Sequence, residues 1–271
     1  MRKSLTTVVS FLMVLTIYSC WIAPTNSQER TASEETREVK VITSGGFAAA
    51  YNILAPQFEQ VTGIELDTAY GASSGGSPDS IPSRLARGET VDVIILSRSS
   101  LDQLTDQGEV RSSSRVDLVR SSIGMAVRSG AAQPDISSTE AFIDTLMAAE
   151  SIGYSASISG TYLSTELFPR LGIWQEIQPK SKRIVGDYVA NAVARGDVEI
   201  GFQQISEILP VADVDYVGPI PTELQRVSTF SAGITERAVN PEDAQKLVEF
   251  LSSERVAAAI TATGLAPVVL E

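Results

Sequence analysis

The stretch Val39-Lys40-Val41-Ile42-Thr43-Ser44-Gly45-Gly46-Phe47 decides the fold. A short, mostly β-branched run reads as a strand over 39–43. Ser44-Gly45-Gly46 then makes a turn with little side-chain bulk, and a helix is predicted over 47–60. Pro56 predicts a kink or split in that helix, and Gly63 predicts its end. The same unit recurs twice. A strand over 64–70 leads into Gly71-Ala72-Ser73-Ser74-Gly75-Gly76, a helix over 81–87 stops at Gly88, and 91–96 is an apolar run interrupted by Asp92. Such a run is typical of a parallel strand buried on both faces. Three strand-turn-helix units in succession predict an open α/β sheet whose ligands gather at the carboxyl ends of the strands.

The plan repeats downstream. Strands are predicted over 123–128, 151–154, 182–185, 198–202, 214–217 and 227–234, with helices over 139–149, from the turn at 155–161 through 171, and over 189–195. A last helix is predicted over 241–263, with Asn240 to cap it and Pro241 in its first turn. Two α/β halves of similar size without a long linker predict two lobes around a cleft.

Composition removes whole classes of chemistry. The 271 residues carry 21 Lys+Arg against 33 Asp+Glu, a net charge of −12, and no His. An acidic chain is poorly matched to nucleic acid or to an anionic membrane surface. Without His there is no Ser-His-Asp or Cys-His relay, no His-ligated metal and no imidazole base. A single Cys rules out a disulfide framework or a CxxC site. No metal and no cofactor are therefore expected.

The first residues read as an export signal: Arg2 and Lys3 precede an uncharged stretch over 6–17 that is short for a membrane span. Two maturation routes stay open. Ile17-Tyr18-Ser19-Cys20 is similar to a lipoprotein cleavage box that would anchor Cys20 in lipid; an ordinary signal peptide would instead be cut near Ser27 and lose Cys20. The polar segment 24–38 reads as a disordered tether.

The chemistry is concentrated in the turns after strands. Ser44-Gly45-Gly46, Ser73-Ser74, Ser97-Arg98 and the segment 155–161 place hydroxyls and unhindered N–H groups where helices begin, an arrangement suited to anions. Ser and Gly also cap helices in any α/β protein, so one such turn says little; four at equivalent points argue for a shared small-anion site. Arg84 and Arg98 are candidate carboxylate partners, and exposed salt bridges are their alternative. Asp92 is expected to cap a neighbouring turn. Gln203 and Gln204 offer uncharged donors and acceptors after a buried strand. Glu207 and Asp187 are the carboxylates nearest to predicted turns. Gly71-Ala72-Ser73-Ser74-Gly75 matches a nucleophile elbow, which without His has no base.

The segments 41–47, 71–76, 87–95 and Gly201-Phe202-Gln203-Gln204 resemble the extracytoplasmic solute-binding proteins grouped with the molybdate-binding proteins of ABC importers, over residues 39 to about 267. The resemblance implies a type 2 periplasmic-binding-protein fold, in which each lobe is a mixed sheet flanked by helices and the ligand lies between lobes. Carried over, residues 39–121 and 230–271 form one lobe and 122–229 the other, with crossovers over 117–128 and 226–235. It also implies a monomer that captures a small anion, an oxyanion or a tricarboxylate, for an ABC permease. The family's contacts map onto Ser44, Ser73 or Ser74, and 155–161, and together with the turns read above the expected binding residues are Ser44, Gly45, Gly46, Phe47, Ser73, Ser74, Arg84, Ser97, Arg98, Ser155, Ser159, Gly160, Thr161, Tyr162, Gln203 and Gln204. The SerGlyGlyPhe turn and Arg84 depart from the molybdate binders and favour a carboxylate. A sub-branch with this opening is similar to bacterial aconitate isomerase, a periplasmic enzyme that shifts an allylic proton without a redox cofactor. That reaction needs a base, for which Glu207, Tyr162 and Tyr154 are the candidates.

Overall fold

A computed structural model of the chain describes residues 37–74 and 77–268. The expected signal segment with Cys20, and Gly75 and Gly76 of the second turn, lie outside the described residues. Among the described residues no helix is long and apolar enough to cross a membrane.

The chain first lays down β1 (Glu38–Thr43), β2 (Glu65–Tyr70), β3 (Val93–Ser97) and β4 (Val116–Ser121). Past Ser122 it enters β5 (Ile123–Arg128), β6 (Ile152–Ser155), β7 (Ser181–Ile184), β8 (Ile200–Gln204) and β9 (Val214–Pro219). It returns through β10 (Ser228–Ile234) and the short β11 (Ala266–Pro267). Hydrogen bonding sorts the strands into a six-stranded sheet, β11-β4-β10-β3-β1-β2, and a five-stranded sheet, β7-β6-β8-β5-β9. In each sheet three neighbours are parallel, β2-β1-β3 and β7-β6-β8, and antiparallel strands complete it. This is a mixed two-sheet α/β architecture of the periplasmic-binding-protein type.

Helices cover the sheets: α1 (Gly45–Thr62), α2 (Ile81–Ala86), α3 (Arg98–Asp106), α4 (Thr139–Ala148), α5 (Ile158–Tyr162), α6 (Phe168–Arg170) and α7 (Trp174–Ile177). They are followed by α8 (Val189–Arg195), α9 (Ile205–Ile208), α10 (Pro241–Leu251) and α11 (Ala257–Thr261). Alternation along β1 and β3 builds a core on each face of the larger sheet. Val41, Val93 and Ile95 pack with Phe47 and Leu54 of α1 and Leu247 of α10, whereas Ile42, Ile94 and Leu96 pack with Ile81 of α2 and Leu101 of α3. Burying each of these side chains is worth roughly 1.5–3 kcal/mol, which is why the apolar run reads as a central strand.

Two glycines set the height of α8. Gly153 of β6 and Gly201 of β8 are partners across the parallel ladder. A Cβ on Gly201 would meet Val193 at 2.6 Å and Val189 at 2.7 Å, and one on Gly153 would meet Val189 at 2.9 Å. Missing side chains thus let α8 settle onto the sheet and carry Tyr188, the residue before it, toward the strand ends.

Several elements depart from expectation. α1 runs unsplit past Pro56 because that residue lies on the exposed face, where water can take the carbonyl that loses its partner. The helix predicted through 171 breaks into α5, a π turn over Leu163–Leu167 and α6. Ser164 and Thr165 donate their hydroxyls to the carbonyls of Gly160 and Thr161 at 2.8 and 2.7 Å, competing with the backbone ladder. The last helix likewise divides into α10 and α11, where Ser252 and Ser253 donate to the Val248 and Phe250 carbonyls. Asn240 sits at the N-cap of α10 without capping it, its side chain donating to the Glu38 carbonyl at 2.7 Å instead. Asp92, buried in the larger sheet, accepts from the N–H groups of Lys40, Val239 and Asn240 at 2.8, 2.6 and 3.0 Å.

Candidate functional site

The carboxyl ends of β1, β2, β6 and β8 border one cavity of about 720 Å³ that draws its lining from both sheets. Strand ends are where a parallel sheet exposes the first turns of its helices. Here the first turn of α1 opens on the cavity through Ser44, Gly45 and Gly46.

Ser44 occupies the N-cap position of α1, yet its hydroxyl caps nothing. Its N–H donates to the Ile95 carbonyl at 2.7 Å, its carbonyl accepts from Phe47, and Oγ is buried without a partner. Across the cavity, Gln204 donates Nε2 to Ser228 Oγ at 3.2 Å and leaves Oε1 buried and unpartnered. Buried polar atoms without partners cost free energy, and both of these belong to residues that line the cavity, which suits it to a polar ligand. Gln203 is engaged: Oε1 accepts from the N–H of Ala190 at 2.7 Å and Nε2 donates to Glu207 Oε2 at 3.4 Å.

Glu207 is the carboxylate of the site. It projects from α9, half-buried, with Oε1 so close to Gly45 that any side chain there would collide with it. Burial pushes its carboxyl up to about 7, opposed by hydrogen bonding from the Gln204 main chain and the Gln203 amide. Tyr188 presses on the same glycine, its Cε1 lying 2.9 Å from where a Cβ would stand. Burial first, then the neighbouring Glu207 charge and Tyr70, push its phenol up to about 12. At neutral pH the site thus pairs a carboxyl near its midpoint with a fully protonated phenol, the separation of acidities that proton transfer uses.

The structure brings together part of the anticipated set. Ser44, Gly45, Gly46, Ser73, Ser74, Ser155, Ser159, Gln203, Gln204 and Glu207 line the cavity. Within it Ser73 Oγ accepts from the Ser97 N–H at 3.0 Å, and Ser155 and Ser159 share a 3.0 Å hydrogen bond, so these hydroxyls are partly committed. Ser97, Arg98, Thr161 and Tyr162 instead line a second cavity of about 450 Å³, which shares Ser74, Ile158 and Ser159 with the first. There Arg98 pairs with Asp117 at 2.9 Å, and Tyr162 donates to the Leu224 carbonyl at 2.8 Å beneath the Arg226 guanidinium. Four candidates line neither cavity. Phe47 is packed in the core, Tyr154 is buried against Trp174, and Gly160 donates its N–H to Ser155 Oγ at 3.2 Å. Arg84 turns back to Glu89 across the end of α2, and that pairing, led by its hydrogen bond, holds the Glu89 carboxyl below its ordinary value.

Sequence reasoning missed Arg183, Tyr188 and Tyr70. Arg183, steadied by the Ala156 carbonyl at 3.1 Å, is the only guanidinium lining the main cavity among the described residues. Asp187 also lines it. Burial raises its carboxyl, but hydrogen bonds from Asn191, Arg195 and the Tyr188 N–H outweigh that and hold it below its ordinary value.

A two-sheet fold with a polar cavity at its strand ends points to a class of proteins that bind small solutes, and comparison places the chain within a family of that class. The chain belongs to the family of bacterial extracellular solute-binding proteins, whose model matches residues 39–266. Over 237 residues it is 42% identical to an aconitate isomerase from a Pseudomonas species, covering 88% of this chain and 90% of that one. Among solved structures, the periplasmic molybdate-binding protein of Azotobacter vinelandii superposes with a TM-score of 0.69 at 20% identity, covering 86% of this chain and 100% of that one. PEB3 of Campylobacter jejuni bound to L-phospholactate superposes at 0.64 and 15% identity, covering 84% and 99%.

Proposed function

We propose that the protein is an aconitate isomerase working outside the cytoplasm, interconverting the trans and cis isomers by an allylic proton shift, with Glu207 as the base. The observation that carries this reading is the position of Glu207, a carboxyl pushed up to about 7 that lines the cavity and lies against Gly45 in the first turn of α1. The 42% identity to an aconitate isomerase supports it.

Residue types and geometry support the following roles. The N–H groups of the first turn of α1, the Ser44 hydroxyl and Arg183 are donors for substrate carboxylates. Glu207 removes a methylene proton next to a carboxylate, and the electron pair spreads over the allylic carbons and that carboxylate. Return of a proton at the other end moves the double bond. No electrons enter or leave, so the reaction calls for no redox group. Export follows on this reading from the segment over 1–20, with Cys20 as anchor if the lipoprotein route holds.

Incubation of the purified protein with trans-aconitate, followed by proton NMR, is expected to yield the cis isomer until equilibrium, and Glu207→Gln to abolish that conversion. The family match supports a second reading, a monomeric receptor that hands a small anion to an ABC permease. Tight binding of aconitate with no isomerisation would favour it.

A further inference from the structure

The geometry points to Tyr188 as a second catalytic residue of this site, its phenol delivering a proton to one end of the allylic unit after Glu207 has taken one from the other. The inference rests on the isomerase reading and deepens it. Two phenols line the cavity, and they differ in what they bond. Tyr70 donates its hydroxyl to Asn52 Oδ1 and is committed. The Tyr188 hydroxyl has no hydrogen-bond partner among the described residues, although its ring is half-buried and, like the Glu207 carboxylate, stands where a Gly45 side chain would be. The tyrosines proposed from the sequence do not compete. The Tyr162 hydroxyl is committed, donating a hydrogen bond to the Leu224 carbonyl in the neighbouring cavity, and Tyr154 is buried against Trp174.

The position of Tyr188 is also imposed by the scaffold. α8 lies flat on Gly153 and Gly201, and the main-chain N–H of Tyr188 donates to Asp187 Oδ1 at 2.7 Å. Asp187 is in turn held by Asn191 at 2.7 Å and Arg195 at 2.9 Å. The backbone that carries the phenol is thereby fixed, while the residue lines the cavity with its hydroxyl uncommitted among the described residues.

The proton count closes within the pair. The methylene C–H breaks and its proton goes to Glu207. The Tyr188 O–H breaks as a new C–H forms at the former vinyl carbon. The proton on Glu207 then passes to the phenolate, a downhill step from a carboxyl near 7 to a phenol near 12, and both groups are restored.

The test separates the two steps by following trans-aconitate in heavy water with wild type, Tyr188→Phe and Glu207→Gln, after thermal melts have shown all three folded. Wild type isomerises. In Tyr188→Phe, isomerisation is expected to fall at least ~100-fold in kcat, with KM little changed, while Glu207 continues to exchange the substrate methylene hydrogens for deuterium. Glu207→Gln is expected to lose both processes. A Tyr188→Phe enzyme that isomerises at the wild-type rate, beside an inert Glu207→Gln, would overturn the role of Tyr188 and leave the isomerase reading intact. A wild type that neither isomerises nor exchanges would overturn both.

Discussion

At the scale of single residues, Ser44 and Glu207 carry the argument because each sits in a state its surroundings do not relieve. A capping serine lowers the energy of its helix, so its loss costs about 1 kcal/mol. Ser44 Oγ bonds nothing in the protein. Ser44→Ala is therefore expected to leave the melting temperature nearly unchanged and to weaken aconitate binding by about tenfold or more, as one hydrogen bond to a charged acceptor is worth about 1.5–3 kcal/mol. Titration calorimetry with thermal melts reads both quantities. For Glu207 the prediction concerns pH. Its carboxyl is raised from the ordinary 4.5 to about 7, so the folded chain holds that proton more tightly than the unfolded chain. The contribution is complete below about pH 4.5 and is lost as pH rises toward about 7. Glu207→Gln should remove this loss, making the variant more stable than wild type above pH 7 by up to roughly 3 kcal/mol, while the two converge near pH 4.5. Melts across that window check it; a variant less stable than wild type at pH 8 contradicts it. For the same group as base, kcat/KM is expected to rise with pH and level off above about 7.

At the scale of elements, the site is the meeting of the first turn of α1 with α9 and the residue before α8. Gly45 is where they touch, and Gly45→Ala should drive Glu207 and Tyr188 off their positions. Alanine suits a helix at least as well as glycine, so the expected outcome is a folded protein with isomerase activity reduced by ~100-fold or more, read by kinetics and circular dichroism together. Asp92, itself buried, anchors the other end of the larger sheet, and Asp92→Ala removes the acceptor of three main-chain N–H groups, with an expected cost of about 3 kcal/mol in denaturant unfolding. These elements also explain what could be read from the chain alone. Strand, Gly/Ser turn and helix leave a local signature, and so the first turn of α1, the segment 155–159 and Gln203-Gln204 were legible as cavity lining. Arg183 and Tyr188 flank the turn Ile184-Val185-Gly186-Asp187, which lacks the Ser/Gly run of the other turns, and only the pairing of Gly153 with Gly201 across two strands brings α8 close enough to use Tyr188. That pairing joins residues nearly fifty positions apart, and no local pattern carries it. Arg84 misled for the opposite reason, since its partner Glu89 stands just beyond the end of its own helix.

At the scale of the whole molecule, the two sheets are joined by chain crossovers and by hydrogen bonds beside them. The chain passes from the first sheet to the second at Ser122 and returns between β9 and β10. Gln225 stitches these passages together, accepting from the Ile123 N–H and donating to its carbonyl, both at 2.9 Å. Nearby, Ser206 of α9 donates to the Gly46 carbonyl of α1 at 2.8 Å, holding the halves together at the same edge as Glu207. Motion about such an edge requires only a few backbone torsions in the crossovers, the usual construction of hinge closure. The cavity of about 720 Å³ is several times the volume of a small tricarboxylate, so a ligand held by α1 alone would leave the opposite lining unused. Long-range repulsion from a net charge of −12 does not prevent this, because it is screened beyond about 8 Å at physiological salt while N–H groups and Arg183 act at contact. Saturation with tricarballylate, which has the three carboxylates but no double bond to shift, is therefore expected to reduce the radius of gyration in solution scattering. Neutral sugars at the same concentration should leave it unchanged. Binding of tricarballylate without compaction would show that the halves are already set at their working distance and that the crossovers do not act as a hinge.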